Sequence, residues 1–365
     1  MTVPFLNVEA TYQELKVDID AAVARVLASG WYIHGPEVEA FEAEFAAYCG
    51  VSHAVGTANG LDALVLALRA MGIGPGDEVL VPSNTFIATW LAVTQVGATP
   101  IAVEPDPATY NMDPTRLAAA WTPRCKAIIP VHLYGQPANL APIAAFAREK
   151  GLALIEDAAQ AHGARYQGQR IGAYSDMACW SFYPGKNLGA FGDGGAVTTN
   201  NLELADKVRV LGNYGARIKY HHEALGVNSR LDPVQAAVLR VKLQHLDAWN
   251  DRRRQIAARY IEAFRSTDLG LPFAPDWAEP VWHLFVVRSQ NRARLQNNLA
   301  KEGVTALIHY PIAPFMQPAY QNSGQVFPAQ PIAVELARDV LSLPIGPHLQ
   351  PVEQERVIAA VCKYA

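Results

Sequence analysis

From His53 to about Glu156 the chain alternates short apolar, β-rich runs with stretches whose apolar residues return every three to four positions. That rhythm confines it to βαβ units around a parallel sheet. The runs HAVGTA, EVLVPS, TPIAVEP, KAIIPVHLYG and LALIEDA are the expected strands, with helical patterns between them at Gly60–Met71, Thr85–Val96, Pro114–Trp121 and Leu140–Lys150. Each helical pattern closes near a Gly or Pro stop signal. MACWSFYP and GGAVTTN follow at short separation and read as two further strands of the same sheet. The longest uncharged stretch, Val79 to Val103, falls inside this alternation. Pro82, Asn84, Gln95, Gly97 and Pro100 interrupt it, so it reads as buried strand, helix and strand rather than as a membrane span.

After Asn213 the pattern changes. Asp232 to about Phe264 reads as one long helix, with Asp232 as N-cap and Pro233 in its first turn. The remainder, including EPVWHLFVVRSQ, NRARLQNNLAKEG and TALIHYP, mixes strand and helix as a compact α+β unit does. A second unit is expected on size alone, because the chain has 365 residues, 50 % of them hydrophobic, and single cores stop growing at roughly 250 to 300 residues. No internal repeat or low-complexity linker interrupts it.

Charge narrows the partners. With 34 acidic and 30 basic side chains the net charge is −4, which lacks the basic excess that a phosphate backbone requires, so no nucleic-acid partner is expected. The N-terminal MTVPFLNVEATYQELK has no basic region followed by an apolar one, and a cytoplasmic location without membrane association is the expectation. Cys49, Cys125, Cys179 and Cys362 lie far apart with no CxxC, which fits neither a disulfide framework nor a zinc site. His132, His162, His221, His222 and His309 show no metal-ligand spacing, and no metal is expected.

Three stretches carry chemistry. In SFYPGKNLGAFGDGGA, Ser181 to Ala196, Lys186 sits in a Gly-rich turn directly after an apolar strand. A lysine held partly out of water has a lowered pKa, which suits an amine that forms a Schiff base, although a solvated surface lysine is the ordinary alternative. Gly185, Gly189, Gly192, Gly194 and Gly195 around it permit close backbone approach to a ligand. In IEDAAQAHGA, Ile155 to Ala164, Asp157 ends a strand expected at the sheet centre, where open α/β sheets bind ligands. A buried acid there calls for a cation, and a protonated pyridine nitrogen is one; a helix N-cap is the alternative. In GTANGLDALVLAL, Gly56 to Leu68, a strand passes through Asn59 and Gly60 into a helix whose first amides can cradle a phosphate. No GxGxxG follows a strand and GxxxxGK[ST] is absent, which counts against nicotinamide enzymes and P-loop nucleotidases.

These residues resemble a known family, the pyridoxal phosphate (PLP)-dependent nucleotide-sugar aminotransferases of the DegT/DnrJ/EryC1/StrS group. The resemblance runs from GWYIHGPEVEAFE through the NG segment, PSNTFIAT, EDAAQAHGA, SFYPGKNLG and GDGGA to NSRLDPVQAAVL and IHYP. It implies an α/β type I aminotransferase fold, with a large PLP domain built on a mostly parallel central sheet and a smaller α+β C-terminal domain. The expected division is 1–245, N-terminal helix included, and 246–365.

By the same resemblance Lys186 carries the cofactor and moves the proton between substrate carbon and cofactor. Asp157 is implied to pair with the ring nitrogen, Gln160 to bond the ring hydroxyl and Phe86 to stack on the ring. Asn59, Gly60 and Ser181 are implied to hold the phosphate, with Asn228 reaching it from the second subunit of a homodimer. Arg230 suits a carboxylate or diphosphate through its planar fork. Tyr183, Lys219, Tyr220, His221, His309 and Tyr310 are the candidates to face the sugar.

The implied reaction takes nitrogen from L-glutamate, holds it on the cofactor as pyridoxamine phosphate and passes it to a nucleotide-linked keto-sugar. Overall likeness favours C3 of a dTDP-3-keto-6-deoxyhexose, giving a 3-amino-3,6-dideoxyhexose of the Fuc3N or Qui3N type. A 4-keto nucleotide-sugar aminotransferase is the alternative. A sugar dehydratase of the same fold is disfavoured because Lys186 is present, and a non-catalytic nucleotide-sugar-binding protein because Lys186, Asp157 and Gln160 are all retained.

Overall fold

Seven strands form the central sheet in the spatial order His53–Thr57, Gly195–Thr199, Met177–Ser181, Ala153–Asp157, Cys125–Ile128, Glu78–Pro82, Thr99–Val103. The computed structural model that shows them describes residues 2–365. The five strands from Met177–Ser181 to Thr99–Val103 run parallel, and Gly195–Thr199 runs antiparallel to both of its neighbours. The expected α/β sheet is therefore present, and MACWSFYP and GGAVTTN do contribute adjacent strands.

Glu78–Pro82 and Gly195–Thr199 are buried at every position, as strands are when helices cover both faces of a sheet. Along Met177–Ser181 the side chains alternate between two cores with the strand period of two. Met177 and Cys179 join Leu64, Leu68, Trp90 and Val93 on one face, while Ala178 and Trp180 join Phe41, Phe45 and Leu239 on the other. Asn59 starts the helix Gly60–Ala70 as a true N-cap, its Oδ1 accepting from the Asp62 amide at 2.8 Å. Leu140–Lys150 closes on Gly151 at φ 64°, a left-handed cap that glycine adopts without a Cβ penalty.

Three local expectations are corrected. The Pro114–Trp121 pattern forms only a 3-10 turn, Pro114–Arg116, and a short helix, Leu117–Ala120. Of KAIIPVHLYG only the start is strand, within Cys125–Ile128, and Pro130 beyond it lacks the N–H a ladder needs. The long helix from Asp232 is two helices, Pro233–Leu243 and Leu246–Phe264, and the Asp232 side chain makes no capping bond. The break at Gln244–His245 lets one segment serve two cores. Ala236 and Leu239 pack with Phe41 and Phe45, whereas Tyr260 and Phe264 pack with the C-terminal strands.

In the C-terminal part Phe285–Arg288 pairs antiparallel with Val340–Leu343, and the helices Arg292–Lys301 and Pro351–Tyr364 complete that cluster. Val3, from the opposite end of the chain, is buried in it as well. TALIHYP supplies only an isolated bridge, Leu307 to Ser342. Among the described residues no helix is long and apolar enough to cross a membrane, and the four cysteines are free.

Candidate active site

Asp157 is the last residue of its strand, at the carboxyl edge of the parallel sheet, and only 6 % exposed. Thr89, on the helix Ile87–Gln95, donates its hydroxyl to Asp157 Oδ2 at 2.8 Å, and the Ala159 amide donates to Oδ1 at 3.2 Å. Burial pushes the carboxyl above its ordinary pKa even so, with these donors and the Lys186 charge pulling the other way. A strand end leading into turns, rather than a helix start, replaces the N-cap alternative.

Lys186 lies in the connection between Met177–Ser181 and Gly195–Thr199. The connection is closed by its own backbone: Lys186 N–H to Tyr183 C=O at 2.8 Å, Ala190 N–H to Phe182 C=O at 2.7 Å, and Phe182 N–H to Gly194 C=O at 2.7 Å. Burial takes the ammonium down to about 8, with Asp157 opposing, which is the lowered basicity expected of this turn. The glycines act differently from expectation at two positions. A Cβ on Gly189 would meet the Pro184 carbonyl oxygen at 2.4 Å and one on Gly195 the Asn59 carbonyl oxygen at 2.4 Å, so these two let backbone pack on backbone within the protein.

Gln160 is held from two sides. Its Oε1 accepts from the Tyr134 amide at 2.7 Å, and its Nε2 donates to the Tyr310 hydroxyl at 3.0 Å. Tyr134 is buried at φ 61°, a left-handed conformation costly for a bulky residue, and its hydroxyl donates to the His309 carbonyl. The Tyr310 ring lies 5.3 Å from the ring of Phe86, which is 50 % exposed. His309 Nδ1 lies 2.8 Å from the Ser342 hydroxyl, and burial brings the His309 ring down to about 4.

The helix opening at Gly60 abuts Ser181: a Cβ on Gly60 would meet the Ser181 Cβ at 2.6 Å. Asn59 occupies the Asp62 amide with its side chain and the Ala63 amide with its carbonyl. The amides of Gly60 and Leu61 are left at the positive end of the helix dipole. Asn59 and Gly60 thus meet Ser181 at the carboxyl end of Met177–Ser181, the strand that pairs with the one ending at Asp157.

The remaining candidates stand apart. Asn228 is exposed and bonds to none of Asn59, Ser181 or Lys186, although the adjacent Ser229 hydroxyl accepts from the Ala58 amide at 3.1 Å. Arg230 reaches Asn213 Oδ1 at 3.4 Å and lies 5.6 Å over the Tyr214 ring. Lys219 and Tyr220 form the tip of a two-stranded hairpin, Ala216–Ile218 with His221–His222; Lys219, Tyr220 and His221 are all exposed. Tyr183 is 60 % exposed at the edge of the Lys186 turn.

The family model for DegT/DnrJ/EryC1/StrS aminotransferases matches residues 13–362. The chain belongs to this family.

This DegT/DnrJ/EryC1/StrS aminotransferase is 55 % identical over 364 residues to the dTDP-3-amino-3,4,6-trideoxy-α-D-glucose transaminase of Streptomyces venezuelae, covering 100 % of this chain and 96 % of that relative. It is 51 % identical over 362 residues to the dTDP-3-amino-3,6-dideoxy-α-D-galactopyranose transaminase of Aneurinibacillus thermoaerophilus, covering 99 % of each. Its fold superposes on the crystal structure of S. venezuelae DesV in complex with a ketimine intermediate with a TM-score of 0.98 at 54 % identity, over 100 % of this chain and 98 % of that one. The protein is a PLP-dependent sugar transaminase with the expected type I architecture.

The aminotransferase's own residues fit that cofactor. Burial still raises the Asp157 carboxylate against the pull of Lys186, so a further cation would stabilise it, and a protonated ring nitrogen would be one. The half-exposed Phe86 face offers a stacking surface, the Gly60 and Leu61 amides offer donors to a phosphate, and Lys186 offers an amine of lowered basicity. Among the described residues no three His, Cys, Asp or Glu side chains group to hold a metal.

Sequence reasoning missed Thr89 and Tyr134, although Thr89 lies inside PSNTFIAT and Tyr134 in the tail of a predicted strand. It also gave no site role to His162. That ring is fully buried between Trp180 and Phe182, with centroids at 5.3 and 5.7 Å, and burial takes it down to about 3, so it is neutral.

Proposed function

We propose that the enzyme transfers the amino group of L-glutamate to C3 of a dTDP-3-keto-6-deoxyhexose, giving a dTDP-3-amino-3,6-dideoxyhexose, in the cytoplasm. The observation that carries the chemistry is that Asp157 ends one parallel strand and Lys186 sits in the turn that follows its neighbour Met177–Ser181, each with its pKa displaced by burial and each opposing the other's shift. When bound, PLP supplies an electron sink for the carbon that loses or gains a proton. Asp157 keeps the ring nitrogen charged, and Gln160 orients the ring hydroxyl while Tyr134 and Tyr310 fix Gln160 itself. Phe86 would pack against the ring, and Asn59, Gly60 and Ser181 would hold the phosphate. The Lys186 amine removes the proton from the donor carbon and returns one to the sugar carbon, a task for which a pKa of about 8 is well matched.

The choice of C3 is supported by the two relatives of 55 and 51 % identity, both of which are 3-amino-sugar transaminases. The first of them acts on a 3,4,6-trideoxy sugar, which favours a second reading in which the acceptor lacks the C4 hydroxyl. Turnover of dTDP-3-keto-6-deoxyhexoses with and without that hydroxyl, with L-glutamate as donor and 2-oxoglutarate as the measured product, separates the two. Turnover of 4-keto acceptors alone overturns both. Tyr183, Arg230, His309 and Tyr310, with Lys219, Tyr220 and His221 of the hairpin, are the residues assigned to donor and sugar.

The active form is assigned as a homodimer, with Asn228, exposed on its own chain, completing the phosphate site of the partner. Asn228→Ala is expected to weaken cofactor retention, and an active monomer in sedimentation would remove the shared site. The lobes are assigned to 1–245 and 246–365.

A further inference from the structure

We propose that a cleft on the far side of the Lys186 turn is a second site, for a small oxyanion of the carboxylate or phosphate class. The cleft, about 40 Å³, lies between the N-terminal segment Pro4–Val8 and the segment Ile345–Leu349, and Lys186, Asn187, Lys242 and Arg253 line it. Asp157, Gln160 and Phe86 do not line it, so it is separate from the face of the turn where the cofactor residues gather.

Lys242 and Arg253 are each only 3 % exposed, and among the described residues neither has a carboxylate within ion-pair distance. Buried cations are ordinarily paired, because taking a charge out of water costs several kcal/mol. Lys242 Nζ donates to the Gly189 carbonyl at 2.6 Å and lies 3.9 Å from the Phe191 ring centre, which uses one of its three donors. Arg253 makes all its hydrogen bonds through Nη1, to the carbonyls of Trp282, His283 and Ile345 at 3.1 to 3.3 Å. Its Nε is buried with no partner at all. A guanidinium with its Nε edge unused offers the planar fork that carboxylates and phosphates accept.

The acids nearby are engaged elsewhere. Glu353, which borders the cleft, accepts from the Gln350 amide as part of a capping box, and Glu14 is held by Arg252 and His348. Two basic side chains with spare donors therefore line one cleft whose acids are committed; burial takes the Lys242 amine down to about 7, and a bound anion would restore its charge. An anion between them also favours the charged form of Lys186 on the adjoining wall.

The test uses the holoenzyme, in which cofactor fills the phosphate-binding end of the active site. Isothermal titration with inorganic phosphate, and separately with succinate, is expected to show one saturable site per chain. Lys242→Met is expected to weaken it by about tenfold or more, while Arg230→Ala leaves it within about twofold, which separates this site from the donor carboxylate site. Tighter phosphate identifies a phosphate ester as the ligand class, and tighter succinate a carboxylic acid. Because Lys242 also braces the Gly189 turn, diffraction from wild-type crystals soaked in selenate gives a second reading that needs no variant. An anomalous peak within hydrogen-bond distance of Lys242 and Arg253 is expected. Absence of saturable binding, undiminished binding in Lys242→Met, or selenate found only elsewhere overturns the proposal.

Discussion

Thr89 Oγ1 donates a 2.8 Å hydrogen bond to Asp157 Oδ2, fixing the one buried carboxylate at the sheet's edge that faces Lys186. The bond joins a helix to a strand 68 residues further along the chain. Thr89→Val keeps the shape and deletes the donor, leaving Oδ2 without it in a dry site. We expect a stability loss of about 1–3 kcal/mol in the apoenzyme, read by urea denaturation, and a fall in kcat with little change in KM. Unchanged stability and kcat would show that the Ala159 amide alone suffices.

Asp157→Asn replaces the carboxylate proposed to pair with the ring nitrogen by a neutral amide. Turnover is expected to fall by about three orders of magnitude or more while the fold persists, because the buried acid gives way to a near-isosteric neutral group. Activity near wild type would place the ring away from Asp157. Lys186→Ala is expected to retain cofactor noncovalently and to lose steady turnover, as followed by dialysis and product release.

Lys186 also sets a pH dependence of stability. Its amine falls from 10.5 to about 8 on folding, so the folded chain binds the proton less well than the unfolded one. The cost is fully present below about pH 8 and is relieved as pH rises from about 8 towards 10.5, where only the unfolded state still holds the proton. Lys186→Met apoenzyme is therefore expected to be more stable than wild type at pH 7, on the order of 1–2 kcal/mol after allowing for water at the partly exposed ammonium. The advantage should shrink steadily to pH 10.5, and a constant difference across that range would assign it to packing instead.

Behind the site, His132 Nε2 and Glu156 Oε2 lie 2.8 Å apart with both side chains fully buried. Burial pushes the Glu156 carboxyl up, yet His132, Ser175 and the Gly172 amide bring it below the usual carboxylate value. That contribution is present above the unfolded glutamate's pKa and is lost as pH falls through the depressed folded value. His132→Leu strands the acid and is expected to cost about 3–5 kcal/mol, measured at neutral pH. A loss below 1 kcal/mol would mean that Ser175 and Gly172 satisfy the carboxylate unaided.

Gly60→Ala tests the phosphate end. The added Cβ would meet Ser181 Cβ at 2.6 Å, so the helix start or the strand end must shift. Cofactor retention in equilibrium dialysis is expected to fall by about tenfold or more, with a stability loss of about 1–3 kcal/mol. Retention equal to wild type would remove Gly60 from the phosphate site.

The sheet, its flanking helices and the positions of Lys186 and Asp157 were legible in the chain because each depends on neighbours in sequence. Strand and helix periods are local, Asn59 caps its helix by a bond that reaches only to Asp62, and the strand-end acid and the Gly-rich lysine turn are contiguous motifs. The break at Gln244–His245 was not legible, because nothing in the local pattern marks the point where the helix passes from the Phe41–Phe45 core to the C-terminal one. Nor was the role of Gly189 and Gly195, whose neighbours are carbonyls of the protein itself.

What only the tertiary structure decided is which distant side chains hold the local motifs in place. Gln160 meets Tyr310 across 150 residues, Tyr134 turns its amide to Gln160 by adopting φ 61°, and Lys242 and Arg253 converge on one cleft from helices that the sequence read as one. The sequence determined the sheet, the Gly-rich lysine turn and the strand-end acid through short-range periodicity and spacing. The partners of those groups follow from how separate elements pack, since hydrogen bonds act over about 3 Å whatever the distance along the chain.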